Sequence, residues 1–394
     1  MNKYVESAQR LHQHLYKMHW TGGGLEGPDP GVRFNARIGR FLKGYLPFIH
    51  WTDRYYYLQA QGYWIVSNWM LYDLLGDTRF RDIAVAGSNL ILARQTPEGY
   101  WHYPFPEWRG RIATVEGCYA SLGMLHTYRH TGEQRLLQGV EKWYAFLTKE
   151  IGFSEENDTL AVRYFAGMDG LATKPFSNIQ RGRCPNNSTL VLMMVAEAYD
   201  ATNDKNYLEH CDGLVNFLKL AQTEDGKFPY IVPYKEHPGK DHYLCFQYNS
   251  FQFLDLAKYY ELTNDERIKP ILSGLVKFLQ HGLTDNGSSK YDSFHDTPFV
   301  PYYSGALAAA LTRATELCLG DYSTLFERAY ARLLSTQRPD GSFSFSHHNY
   351  GILSDTRSYP RPQSMILKHL LIRAEHEEQG ESARSERSQR TVKS

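Results

Sequence analysis

Apolar positions along this chain fall into helical segments of two kinds. One kind is apolar nearly all round and rich in small residues, as in 189–201 and in 303–317 with its Ala306, Ala308, Ala309 and Ala310. The other carries a single apolar stripe at i, i+3, i+4 spacing, as in Leu214, Phe217 and Leu218, or Ala329, Leu333 and Leu334. A helix apolar on every side is buried among neighbours, and a striped helix covers a core from outside. The alternation predicts an inner set of helices wrapped by an outer set.

A short polar break recurs five times between the two kinds: Leu75-Gly-Asp-Thr-Arg-Phe80, Thr131-Gly-Glu-Gln-Arg-Leu136, Thr202-Asn-Asp-Lys-Asn-Tyr207, Thr263-Asn-Asp-Glu-Arg-Ile268 and Leu319-Gly-Asp-Tyr-Ser-Thr324. Gly or Asn suits the left-handed residue that ends a helix, and the acidic residue after it suits the start of the next. Each copy therefore predicts a tight turn between two antiparallel helices. Three outer helices also end alike, at Gln95-Thr-Pro-Glu-Gly-Tyr-Trp101, Gln222-Thr-Glu-Asp-Gly-Lys-Phe228 and Gln337-Arg-Pro-Asp-Gly-Ser-Phe343, with weaker versions at Asp285-Asn-Gly287 and Gly152-Phe153. Here Gly supplies a positive φ, the aromatic folds back on the helix end, and Gln bonds freed backbone groups at the corner.

This Gln-x-x-[Asp/Glu]-Gly-x-[Trp/Phe] ending resembles the QW-type repeat of the squalene/terpenoid cyclase and prenyltransferase toroids. The same double ring is the fold of the six-hairpin glycosidases and their epimerase and lyase relatives. The resemblance spans repeats over most of 54–374 and implies an all-α, (α/α)6 toroid. Residues 3–19 and 361–376 supply two further helices that complete a sixth hairpin. The expectation is one catalytic domain over 1–376 and a disordered, charged, Ser-rich tail over 377–394.

Composition narrows the function classes. Lys+Arg and Asp+Glu are equal at 43 each, which gives no electrostatic footprint for nucleic acid. No apolar run approaches membrane-spanning length, and residues 1–20 are polar and amphipathic, unlike a signal peptide. Five scattered cysteines without a CxxC pair argue for reduced thiols in a cytoplasmic protein and against a disulfide framework or zinc module. No Cys/His set has ligand spacing, so neither a metal nor another cofactor is expected. The 29 tyrosines are an enrichment that can serve core packing and can also supply flat faces and phenol groups inside a cavity.

Ring geometry then limits where chemistry can sit. Intra-hairpin turns are short, while the loops leading to inner helices are long: roughly 102–111, 153–187, 228–248, 288–302 and 344–360, plus the lead-in 21–53. Long loops gathered at one mouth carry function, and inner-helix N-termini there favour anionic groups. The catalytic candidates are Glu107, Glu116, Asp296, His295 and Asp53. The substrate-binding candidates are Arg109, Arg111, Arg183, Arg54, Trp108, Tyr55 and Tyr291. Arginine forks suit carboxylates, aromatic faces suit sugar rings, and carboxyl groups suit proton transfer. Glu116 stands out as a carboxylate one turn inside an apolar helix, a costly place unless paired or wet. Asp53, Asp292 and Asp296 have a plainer reading as helix caps, and the arginines have one as a salt-bridge network.

These residues predict an enzyme acting on an anionic, uronate-type saccharide by acid/base chemistry, as hydrolase, lyase or epimerase. Neighbouring arginines are expected to keep the carboxylates ionised, which suits a base. Two alternatives remain open here: a terpenoid cyclase or prenyltransferase-like enzyme, which lacks the expected Asp-x-Asp-Asp and zinc-ligand patterns, and a non-catalytic glycan-binding toroid. A cavity lined by Asp, Arg and Tyr favours sugar; one lined by Phe, Trp and Leu favours a polyene.

Overall fold

The computed structural model describes residues 2–31, 37–46, 48–105, 108, 110–167, 182–234, 239–240 and 245–392. Its inner helices are α3 (Leu58–Leu75), α5 (Thr114–Thr131), α7 (Pro185–Thr202), α9 (Cys245–Thr263), α11 (Pro301–Glu316) and α13 (Pro360–Val392). Each packs on the next, and α13 packs on α3, so the ring is closed. The outer helices are α4 (Thr78–Ala93), α6 (Gln134–Phe146), α8 (Cys211–Ala221), α10 (Ile268–Leu279) and α12 (Ser323–Ser335), each behind its inner partner. Helix α1 (Lys3–His19) packs on α13, so the two ends of the chain form the sixth hairpin, and the fold is the expected all-α toroid. A short helix α2 (Arg37–Tyr45) lies in the lead-in segment.

The turn chemistry is as the sequence predicts. Gly76 and Gly132 sit at φ +69 and +73, and Asn203 and Asn264 at +57 and +53. Asp77, Asp204, Asp265 and Asp321 then accept from the N–H two residues on. The fifth turn is looser: Cys318 (φ +57) and Gly320 (φ +151) share the reversal.

The Gln-Gly corners do more than stop a helix. Gln95 Nε2 donates to Gly99 O (2.9 Å) and to Gly139 O (2.8 Å) on α6. Gln222 joins Gly226 O (2.8 Å) to Ile271 O (2.9 Å) on α10, and Gln337 joins Gly341 O to Ser7 O on α1, both at 2.9 Å. Each amide thus stitches one outer helix to the next. A Cβ on Gly99, Gly226 or Gly341 would stand 2.5, 2.1 or 2.3 Å from a carbonyl oxygen of that neighbouring helix, so only glycine allows the approach. Gly287 makes the same approach to Arg328 O, but Gly152 meets no helix that closely.

Among the described residues, sheet is confined to small antiparallel pairs in the long loops: β1 (Arg111–Ala113) with β4 (Phe165–Gly167), β2 (Phe153–Glu156) with β3 (Thr159–Val162), and β5 (Ser346–Asn349) with β6 (Leu353–Asp355). Helix α13 continues to Val392, so 377–392 is helical where low apolar content predicts disorder. Glu, Arg, Gln and Ala favour helix, and packing of α13 as far as Ala374 supplies the nucleus a free charged tail lacks. Among the described residues, no helix is long and apolar enough to cross a membrane.

Candidate functional site

All inner helices begin at the end of the ring where the long loops gather. Side chains in their first turns, with those of the loops, form a collar of tyrosines around the axis. Tyr57, at the N-cap of α3, meets Tyr103 edge-on (5.8 Å), and Tyr103 meets Trp108 (5.3 Å). The Tyr164 and Tyr230 hydroxyls are 3.1 Å apart, and Tyr230 packs on Tyr248 of α9 (5.7 Å). Tyr291 stacks on Tyr303 of α11 (5.9 Å), and Tyr302 stacks on Phe345 (6.0 Å). Phe345 then meets Tyr359, and Tyr359 meets Trp51 (5.6 Å). Burial pushes the phenols of Tyr57, Tyr103, Tyr164 and Tyr248 up, so they stay neutral and serve as hydrogen-bonding groups.

Charge sits on the floor of this collar. Arg361, in the first turn of α13, forks onto both oxygens of buried Asp29 (2.7 Å each), reaches Gln59 Oε1 (3.2 Å) and lies over the Tyr57 ring (4.9 Å). Glu116 lies beside it on α5. Its Oε2 accepts from the N–H groups of Leu58 (2.5 Å) and Gln59 (3.2 Å). These are the first donors of α3, whose own N-cap residue Tyr57 offers no side-chain bond, so Glu116 caps the neighbouring helix. Burial pushes its carboxyl up to about 7, against the opposing pull of Arg361 and the two N–H groups. At Glu116 desolvation outweighs the arginine, the opposite direction from the ionised carboxylate expected at the mouth.

The other candidates divide. Tyr55, Trp108 and Tyr291 belong to the aromatic collar: Tyr55 packs on Tyr57 and Phe105, and Trp108 packs on Phe105. Arg111 is buried in β1 with its guanidinium 5.3 Å from the Trp108 ring centre. Asp53 is on the rim, where it accepts from Trp51 Nε1 (2.5 Å) and Lys43 Nζ (3.2 Å) instead of capping an inner helix. Arg54 is exposed. The structure does not bring Arg183 to the mouth: it pairs with Glu156 and Thr159 of the β2–β3 hairpin and lies over Phe217 of outer helix α8. Nor does it bring in His295 and Asp296, which stand exposed on a loop turned by Asp292, whose carboxylate receives the N–H groups of Phe294 and His295. Glu107 and Arg109 lie outside the described residues. Among those that are described, no group of three or more His, Cys, Asp or Glu side chains is placed to hold a metal ion.

Sequence reasoning missed Asp29, placed Arg361 among the mouth arginines without choosing it as a candidate, and gave Gln59, Tyr230 and Tyr248 no role. One signal was available: Arg361, like Glu116, lies in the first turn of an inner helix. Asp29 had none, because its partner is 332 positions away.

No protein-family model matches the chain, and no curated protein matches its sequence. Solved structures do share its fold. The cellobiose 2-epimerase of Bacillus thermoamylovorans B4167 superposes with a TM-score of 0.72 at 13% identity, over 95% of this chain and 100% of that one. A glycosyl hydrolase family 88 protein from Bacteroides vulgatus gives 0.65 at 12% identity, over 95% and 99%. An unsaturated glucuronyl hydrolase specific for heparin gives 0.62 at 13% identity, over 95% and 98%. These likenesses establish the six-hairpin toroid for this chain.

Proposed function

We propose that this protein is a carbohydrate-active enzyme that works on an anionic, uronate-type saccharide at the collared mouth, with Glu116 as its acid/base group. The observation that carries the reading is the Glu116 carboxyl, pushed up to about 7 by burial on the floor of the tyrosine collar. A carboxyl poised near neutral pH can move a proton in either direction, as hydrolysis, β-elimination and epimerisation each require. Converging inner-helix N-termini and the guanidinium of Arg361 favour a carboxylate on the substrate. Tyrosine faces suit sugar rings, and their neutral hydroxyls suit sugar hydroxyls. Epimerase, hydrolase and glucuronyl hydrolase activities among proteins of this fold support the same class.

The lining also weighs against an isoprenoid substrate. A hydrocarbon chain would bury the collar hydroxyls and the Arg361–Asp29 pair without replacing their contacts with water. Cys118, Cys184 and Cys211, buried and free, support the cytoplasmic setting included in this reading.

The test is turnover of a panel containing an unsaturated uronyl disaccharide, a saturated uronate oligosaccharide and a neutral disaccharide, by wild type and Glu116→Gln. Gln keeps an acceptor for the two N–H groups of α3 but cannot exchange a proton. The variant should stay folded and lose roughly 100-fold or more in kcat while KM holds. Wild-type rates in Glu116→Gln would remove Glu116 from the chemistry. Turnover of the neutral disaccharide alone would overturn the uronate assignment and leave Glu116 in place.

A further inference from the structure

Asp29 reaches the floor of the mouth on a segment pinned from both sides. Past α1 the chain exchanges hydrogen bonds with Gln61 of α3, whose amide accepts from Leu25 N–H and donates to Leu25 O (2.8 Å each). Gly27 then pairs with Tyr55 through both backbone groups. A Cβ on Gly27 would stand 2.8 Å from His19 Nδ1 and 3.0 Å from Pro360, so glycine lets the segment pass between α1 and the start of α13. Two residues on, the buried Asp29 carboxylate accepts from Gly31 N–H (2.7 Å) as well as from Arg361.

The fork leaves Arg361 only partly used. A guanidinium carries five N–H donors in one plane. Nε and Nη2 donate to Asp29, and Nη1 donates to Gln59 Oε1. One hydrogen on Nη1 and one on Nη2 make no hydrogen bond among the described residues. The Arg361 side chain is 26% exposed where that of Asp29 is 2% exposed, so the mouth opens onto the guanidinium and not onto the carboxylate behind it. The Tyr57 ring beneath it (4.9 Å) sets the plane of the guanidinium, and the Asp29 fork sets its rotation within that plane. A pair held in this way adds little to stability, because desolvation offsets the attraction. What it does supply is a donor pair fixed in direction.

We propose that Asp29 is a positioning residue that holds Arg361 as a fixed two-pronged receptor for the carboxylate of the saccharide, and that Arg361 is thereby the specificity-determining residue of the mouth. The proposal rests on the uronate reading above and adds how the uronate is told from a neutral sugar. Asp29 already balances the charge of Arg361, so recognition depends on the two directed N–H groups and not on attraction at a distance. A planar carboxylate meets two coplanar donors with its two oxygens. A carboxamide of the same size offers one oxygen and sets its own N–H₂ against the second donor. Lysine supplies the charge without the fork. Without Asp29 the long arginine side chain is free to turn toward other acceptors, the nearby Glu116 carboxyl among them, and the donors lose their direction.

Calorimetric titration with a uronate monosaccharide and the matching uronamide, which differ only in that group, tests this without turnover. The wild type should bind the uronate about tenfold or more tightly than the uronamide. Arg361→Lys should lose most of that preference. Asp29→Asn should lower it several-fold, by weakening uronate binding while uronamide binding stays nearly the same. Gly31→Ala provides a second variant: its Cβ would stand 2.8 Å from Asp29 Oδ1, so it displaces the carboxylate without removing it and should act in the same direction. A merely structural pair would lower the unfolding midpoint of Asp29→Asn and keep the preference, which would overturn the positioning role. Equal binding of the two sugars by wild type, or binding of neither, would overturn the proposal as a whole. Turnover that depends on Glu116 is measured separately, so the acid/base reading stands or falls by itself. A preference that responds to both residues in a protein that turns over no saccharide would support the receptor and remove only the catalytic reading.

Discussion

The mouth and the turn-side end of the ring are built from the same six inner helices and differ in how their polar groups are held. At the mouth the helices show their N-termini, and the polar groups are tyrosine hydroxyls, one Arg–Asp fork and Glu116. At the other end they show their C-termini, and Arg129, Lys258 and Arg313 sit there among Glu197, Glu261 and Glu316. The helix dipole accounts for part of the difference, since cations are favoured at C-termini. Matching accounts for the rest: Glu197 and Glu261 tie neighbouring inner helices together by ion pairs, whereas the mouth carboxyl Glu116 caps a helix. A change at one end should therefore act on stability, and a change at the other on chemistry.

The largest expected effect is at the turn-side end. Glu197 is buried and holds cations from α5 and α9. Glu197→Gln removes the carboxylate shared by Arg129, His126 and Lys258, while Arg129 keeps Asp200, and should cost about 1.5–3 kcal/mol in denaturant or thermal unfolding. A loss below about 1 kcal/mol would mean that this end is held by packing alone. Glu116→Gln, by contrast, should leave the unfolding midpoint nearly unchanged while abolishing most turnover. If it unfolds the protein instead, the division between the two ends fails.

A smaller effect is expected in the pH dependence. Burial raises the carboxyls of Glu116, Asp255 and Glu375 to about 7, above their ordinary values. A carboxyl whose folded pKa is raised favours the folded state while protonated. That contribution is complete below the ordinary carboxylate range and is lost as pH rises through about 7. The stability of the wild type should therefore carry a declining component from about pH 4 to pH 7, and Asp255→Asn should flatten part of it. An unchanged slope, measured by chemical denaturation across that range, would count against the buried, protonated Asp255. The smallest effect is at the collar: Tyr164→Phe removes one bond of the Tyr164–Tyr230 pair and should cost about 1 kcal/mol or less.

Much of the ring is legible along the chain because its rules are local. A left-handed Gly76 or Asn203 followed by a capping Asp77 or Asp204 concerns only a few consecutive residues. The distinction between inner and outer helices follows from whether apolar residues surround a helix or form one stripe. The Gln-Gly corner was readable as a helix stop, but its second hydrogen bond, from Gln222 to Ile271 O, depends on which helix comes to lie beside it. Glu116 was legible for a physical reason as well: a carboxylate inside an apolar helix demands an explanation.

Local patterns in the chain specify the repeating hairpin, the pairing of its first and last helices and the end of the ring at which long loops gather. Which side chains meet there follows from long-range packing and the paths of the loops. Arg183 and Arg361 both precede or open inner helices, yet one lies over outer helix α8 and the other reaches the floor of the mouth beside Glu116. Periodicity constrains a side chain in the first turn of a helix, but the path of a long loop sets the direction of one before it. The Asp29–Arg361 fork and the Glu116 cap on α3 join elements far apart in the chain, and such pairings exist only once the ring has closed.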